Sequence, residues 1–359
     1  MPLTRLRTVI MVSRIVLGLI AAAPLSCYAA AQPANRVSLT LDSSEAEAVL
    51  AILDKRAGHE EVADADWQRL FTTTPYRKLK RHEGSMPQPF TDQEFMKFVS
   101  TLDASRELLR QSLQQWQSVD LRSVAQRPLA YLPPQATLRA EVYPVIKLEG
   151  NSFVFEPYTT APAIFLYVSP NKRTRAQMED TLAHEAHHLG LFSIQDAYRK
   201  EIGSLPENAR KAAWWMGNLR EGMAVLAAAG SPDINPWADF AEPYRLDWDR
   251  QAEHFATDLD ELNLFFLDTV HGDLLNDAVA HEARILAGNG VGPWYTVGYR
   301  MAVTIERQFG RPALVATYAD PRRFVARYNE AAEAENAKNG ANLPLFSAEI
   351  LKAVDSENR

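Results

Sequence analysis

Apolar and polar residues alternate along this 359-residue chain with two different periods. From residue 32 to about 125 the apolar positions recur at the spacing of amphipathic helices, most clearly from Leu102 to Trp116. Ser44-Glu45-Ala46-Glu47 and Thr91-Asp92-Gln93-Glu94 read as capping boxes that open two of these helices. The texture changes after Leu129. Pro133-Pro134 marks a boundary, and Glu141 to Leu148, Ser152 to Glu156 and Ala163 to Val168 are short runs rich in Val, Ile, Phe and Tyr that predict strands. Pro144 suits an edge strand or a bulge, because it cannot donate to a sheet ladder. Beyond Val168 the pattern is helical to the end, with no internal repeat or long low-complexity segment. The pattern predicts an α+β, predominantly helical chain: an N-terminal helical region over 32–125, then a second region over 126–359 that begins with a small sheet.

One predicted helix carries candidate chemistry. Thr174-Arg175-Ala176-Gln177 reads as a capping box, Met178, Leu182, Ala186 and Leu189 form an apolar stripe, and Gly190 ends the pattern. Within it lies His184-Glu185-Ala186-His187-His188. Histidine is scarce here, with eight in the chain, so two at this spacing are informative. Residues 184 and 188 are one turn apart on nearly the same face, so both imidazoles can reach one cation. Glu185 points about 100° away around the axis, where its carboxylate can meet a water rather than the ion. His187 could ligate in place of His188, but the four-residue spacing favours His188 and leaves His187 beside the site or facing solvent. The bland alternative is an exposed helix whose histidines merely solvate it.

A catalytic zinc takes three protein ligands and keeps one position for water. Glu221, in the helical run Asn218 to Leu226, is the candidate third ligand: a carboxylate in an apolar helix is costly unless a cation offsets it. Gly222 would relieve crowding where two helices approach the metal. Glu221 could instead pair with Arg220, Arg210 or Lys211 on an exposed face.

These residues resemble the gluzincin clan of zinc metallopeptidases, in which His-Glu-x-x-His is followed on a later helix by a glutamate ligand. The Glu-Gly-x-Ala form of Glu221 to Ala224 is similar to a bacterial branch of zinc-dependent peptidases, and Gly292-Pro293-Trp294-Tyr295-Thr296-Val297-Gly298-Tyr299, running on to Phe309-Gly310, is similar to the helix that follows the ligands there. Together the blocks cover roughly residues 140 to 330. The resemblance implies a zincin-like, thermolysin-like domain over 126–359, one Zn2+ held by His184, His188 and Glu221, Glu185 as general base, an edge strand to hold an extended peptide, and Tyr295 or Tyr299 stabilising the oxyanion. It departs at Val225, where the thermolysin-like form has an Asp that orients a metal histidine. Asp180 or Asp273 could take that role. Trp214 and Trp215 are expected to pack the helix before Glu221. His281-Glu282-Ala283-Arg284-Ile285 lacks a second imidazole and reads as an ordinary amphipathic helix, and His271-Gly272-Asp273 as a turn.

Composition narrows the setting. Arg5, Arg7 and Arg14 precede an apolar run from Ile15 to Ala23, and Ala29-Ala30-Ala31 supplies small residues for cleavage, so residues 1–31 read as a signal peptide cut after Ala31. That predicts export to the periplasm or beyond, with no membrane span in the mature chain. A lipid anchor at Cys27, the only cysteine, is the minority reading, because Leu25 stands one place too close for a lipoprotein box. Without residues 1–31 the chain has 35 basic and 45 acidic residues, a formal charge of −10, which does not invite nucleic acid. No phosphate loop or nucleophile elbow is present. The expected partner is a peptide or protein substrate, and the oligomeric state is left open. The alternatives are a non-catalytic zinc-binding module of the cell envelope and a zinc hydrolase of another amide or ester.

Overall fold

The computed structural model describes residues 36–84, 90–155, 161–240, 242–274, 276–288 and 291–355. The expected leader, its cleavage point and Cys27 lie outside them, as does Glu156 at the end of one expected strand. The chain is predominantly helical, with one small mixed sheet. Its strands are β1 (Val37–Leu41), β2 (Leu138–Val145), β3 (Phe153–Phe155) and β4 (Ala163–Tyr167). Their spatial order is β1-β2-β4-β3, with β1, β2 and β4 parallel and β3 antiparallel on the outer side of β4.

Two expectations change here. The stretch over 32–125 is not wholly helical: Val37–Leu41 pairs in register with Leu138–Val142, from Val37 opposite Leu138 to Leu41 opposite Val142. Pro144 sits in the central strand, not at an edge. Its missing N–H costs no ladder bond because β1 has run out: Asp42 N–H donates to Val142 O at 3.0 Å on that side, whereas Val145 O faces β4 and accepts from Val168 N–H at 2.9 Å. By alternation the nitrogen of Pro144 points to the side that β1 has vacated.

Both sheet faces are buried, which explains the nearly continuous apolar run of β4. Ile164 and Leu166 face the main core, while Phe165, with Tyr143 and Val145, faces a smaller cluster covered by Leu79. The main core runs from Ala46 in the first helix to Val354 in the last. Among the described residues no helix is long and apolar enough to cross a membrane.

The helix bearing the two-histidine motif, Arg175–Phe192, packs against β2, β3 and β4. Its start follows the sequence: Thr174 Oγ1 accepts from Gln177 N–H at 3.2 Å and Gln177 Oε1 accepts from Thr174 N–H at 2.9 Å. The Thr91 box forms in the same way, through Glu94. The box expected at Ser44 does not form. The cap position is Ser43, and Glu45 is instead fully buried, accepting from Ile146 N–H at 2.9 Å. Met178, Leu182, Ala186 and Leu189 are buried as the stripe requires. Gly190 does not end the helix, which runs two residues further; a Cβ there would come within 2.2 Å of Leu132 Cδ1, so a larger residue would displace the Leu132 side chain.

Candidate metal centre

Three donors meet where the motif helix crosses the helix Arg220–Ala229. His188 Nε2 lies 3.1 Å from His184 Nε2, and Glu221 Oε2 lies 3.2 Å from His184 Nε2 and 3.1 Å from His188 Nε2. Each Nε2 can carry one proton, so both imidazoles can donate to Glu221 but the His184–His188 side is then left without a bridging lone pair, whereas a cation at the centre would engage all three donors at once. Their spacing suits zinc. Bonds of about 2.0–2.1 Å to a tetrahedral ion place donor atoms about 3.3 Å apart.

The exposed-helix alternative does not describe these residues. Glu221 does not pair with its neighbouring cations: Lys211 bonds Glu207 at 2.7 Å, Arg210 donates to Leu205 O, and the Arg220 guanidinium lies over the Tyr198 ring, 5.4 Å from its centroid. Burial works to raise the Glu221 carboxyl, but the His188 and His184 imidazoles hold it well below the usual carboxylate range.

Glycine explains how the Glu221 helix reaches this position. A Cβ on Gly222 would stand 1.9 Å from Tyr299 N and 2.2 Å from Gly298 C, and one on Gly298 would stand 2.4 Å from Leu219 O. The close approach is therefore to the helix Pro293–Phe309, not to the motif helix as expected. Two facing glycines let the backbones touch, and this contact fixes where Glu221 is held.

Glu185 is buried and lines a cavity of about 310 Å³ together with His184 and Tyr295. Burial pushes its carboxyl up to about 7; His184 pulls against this and Glu221 adds to it. The two tyrosines separate. The Tyr295 ring stacks near His184, with centroids 6.3 Å apart, and its phenol is kept protonated by burial and by the carboxylates of Glu221 and Glu185. Tyr299 turns away, its hydroxyl donating to Ile234 O at 3.4 Å and its ring against Trp248.

Other expected placements differ. Neither aspartate named for orienting a histidine does so: Asp180 accepts from Arg127 at 2.6 Å, and the exposed Asp273 lies 3.8 Å from His271. His187 does not face solvent; it is fully buried, packed edge-on against Tyr318, and burial holds it neutral. Trp215 packs against Phe265, but Trp214 is 54 % exposed. His281 lies on the amphipathic helix Asn276–Ala287, and His271-Gly272-Asp273 forms the turn expected, with Gly272 left-handed. Arg173, Trp237 and Phe240 also line the cavity, and no spacing in the sequence marks them.

A family model described as "Putative zinc dependent peptidase (DUF5700)" matches residues 67–337, about three-quarters of the chain and all of the donor triangle. No curated protein and no solved structure matches.

Proposed function

The chain belongs to this family of zinc-dependent peptidases, and from that premise we propose that it hydrolyses peptide bonds at the His184, His188 and Glu221 site, with Glu185 as general base. The observation that carries this reading is the convergence of those three donors, 3.1–3.2 Å apart, beside a cavity that His184 and Glu185 both line. We read the fold around them as zincin-like and of gluzincin type, with the catalytic part from about residue 126 and the N-terminal region adding β1 and its helices.

His184, His188 and Glu221 would hold one zinc ion. Zinc, when bound, acidifies water to near neutrality and polarises the carbonyl presented to it. Glu185 then takes the proton of the attacking water and passes it to the leaving amine nitrogen as the C–N bond breaks. Its buried, partly desolvated carboxyl suits an exchange in both directions. Tyr295, protonated and in the cavity wall, donates to the oxygen that gains charge, whereas Tyr299 is engaged elsewhere. The edge strand β3 follows Asn151 and Ser152, which also line the cavity, and its outer side, unpaired among the described residues, would accept an extended peptide. The leader-like residues 1–31 support export to the periplasm or the medium.

The test pairs zinc analysis with peptide-library cleavage, with and without chelator, on wild type and Glu185→Gln. Wild type is expected to bind one zinc and cleave in a chelator-sensitive way; Glu185→Gln is expected to keep the zinc and lose about a hundredfold or more in turnover. Stoichiometric zinc with no cleavage in wild type would point to the non-catalytic module instead.

A further inference from the structure

The cavity beside the donor triangle holds a cation that the reaction above does not use. Arg173, just before the motif helix, lines the cavity with His184, Glu185 and Tyr295. Its Nη2 donates to Thr181 Oγ1 at 2.9 Å, which fixes the guanidinium from one side, and among the described residues its other donors have no hydrogen-bond partner. Among the described residues no carboxylate pairs with it, and the only influence on its acidity is burial, which lowers it.

The carboxylates that line the cavity are engaged elsewhere. Asp180 is taken by Arg127 at 2.6 Å, and Arg127 also donates to Ala228 O at 3.0 Å. Glu185 and Glu221 together balance one zinc dication, and Tyr295 stays neutral. Asp239 acts on Asp180 and not on Arg173, so the guanidinium has no carboxylate of its own among the described residues. An uncompensated guanidinium in a partly apolar wall is costly to maintain, and an incoming anion would remove that cost. A fork of N–H donors matches a carboxylate with two bonds. At about 310 Å³ the cavity has room for one or two peptide residues, so the anion would lie near the scissile bond.

We propose that Arg173 is a specificity-determining residue that binds a substrate carboxylate, so that the enzyme prefers peptides carrying a carboxylate within one or two residues of the cleaved bond. This rests on the peptidase reading. The carboxylate is either the chain terminus or an Asp or Glu side chain, and matched peptides tell these apart.

The experiment compares zinc-loaded wild type, Arg173→Gln and Arg173→Lys on peptide pairs that differ only as free acid against C-terminal amide, or Glu against Gln. The Gln variant keeps a donor for Thr181, and the Lys variant keeps the charge without the fork. The expected wild-type preference for the carboxylate member is about tenfold or more in kcat/KM, falling to near parity in Arg173→Gln and to an intermediate value in Arg173→Lys. Preference in the free-acid pair identifies the chain terminus; preference in the Glu pair identifies the side chain. A second arm titrates chelator-treated protein with an acetylated dipeptide and its amide, read by calorimetry and by the change in tryptophan fluorescence to which Trp237 in the cavity wall contributes. Tighter binding of the acid by wild type, lost in Arg173→Gln, supports the assignment independently of turnover. Equal affinity and equal turnover of both members in wild type, or an unchanged preference in Arg173→Gln, overturns it. If no peptide is cleaved, the peptidase reading falls, and the titration still decides Arg173.

Discussion

The contact between Gly222 and Gly298 makes a prediction that separates site geometry from ligand chemistry. In Gly222→Ala the new methyl would start 1.9 Å from a backbone nitrogen and 2.2 Å from a backbone carbon, neither of which can rotate aside. Ordinary contact needs about 3.5 Å, so the two helices must part by about 1.5 Å, or one must tilt. Overpacking of this kind costs about 1–3 kcal/mol, a fall in Tm of about 1.5–4.5 °C for a chain of this size. The metal site is less tolerant, because workable ligand distances span only about 0.2 Å. Glu221 directly precedes the altered residue, so its carboxylate would leave the triangle. The assay is thermal unfolding in chelator, which reports the packing cost alone, together with zinc affinity by competition. Gly222→Ala is expected to lower Tm in chelator and to weaken zinc binding about tenfold or more. Gly217→Ala is the control, since a Cβ there meets nothing within 4 Å and its backbone is helical, and it should leave zinc affinity unchanged and not lower Tm. A Gly222→Ala protein with wild-type Tm and zinc affinity would refute the claim that this crossing positions Glu221.

Other perturbations read the site from different sides. His188→Ala and Glu221→Ala should each weaken zinc binding in a competition titration, unlike Glu185→Gln; an unchanged affinity in either would remove that residue from the ligand set. Tyr295→Phe should lower kcat by about tenfold to a thousandfold with zinc retained, whereas Tyr299→Phe should change it little, and the reverse order would exchange their roles. Glu45 links stability to pH, because burial pushes its carboxyl up to about 8 against the Ile146 hydrogen bond that opposes the shift. With the folded value above an unfolded one of about 4.3, its contribution is complete below pH 4 and is lost as pH rises through 8. Urea unfolding should therefore show wild type losing stability relative to Glu45→Gln between pH 5 and 8, by about 1 kcal/mol per unit; parallel profiles would contradict this.

The parts of this molecule legible in the sequence are those set by short-range chemistry. The helix from Arg175, its Thr174 cap and the shared face of His184 and His188 follow from spacing within one or two turns, and Glu221 stood out because an acid in an apolar helix needs a counter-charge. What the sequence hid depends on remote partners. The pattern of Val37–Leu41 spans only five residues, and its partner strand begins about a hundred positions later. Gly190 and Gly222 look like a helix stop and a metal-side gap until Leu132 and Gly298 are seen against them. Tyr295 and Tyr299 lie one turn apart, so periodicity cannot separate them; Trp248 and Ile234, from another part of the chain, do. Arg173 gave no signal, since a lone arginine before a helix cap is ordinary until the charges around it are counted.

The strand β1 has a consequence for how the chain matures. Its hydrogen bonds go to residues 138–142, so during synthesis it must wait for roughly 5–20 s of elongation before its neighbour exists. Only then can the sheet supporting the motif helix close, and the ordering entropy of that long intervening segment must be overcome at that moment. The helix crossing at Gly222 and Gly298 then delays zinc-binding geometry further, until residue 298 has been made, and a fragment ending before β2 would display an unpaired strand.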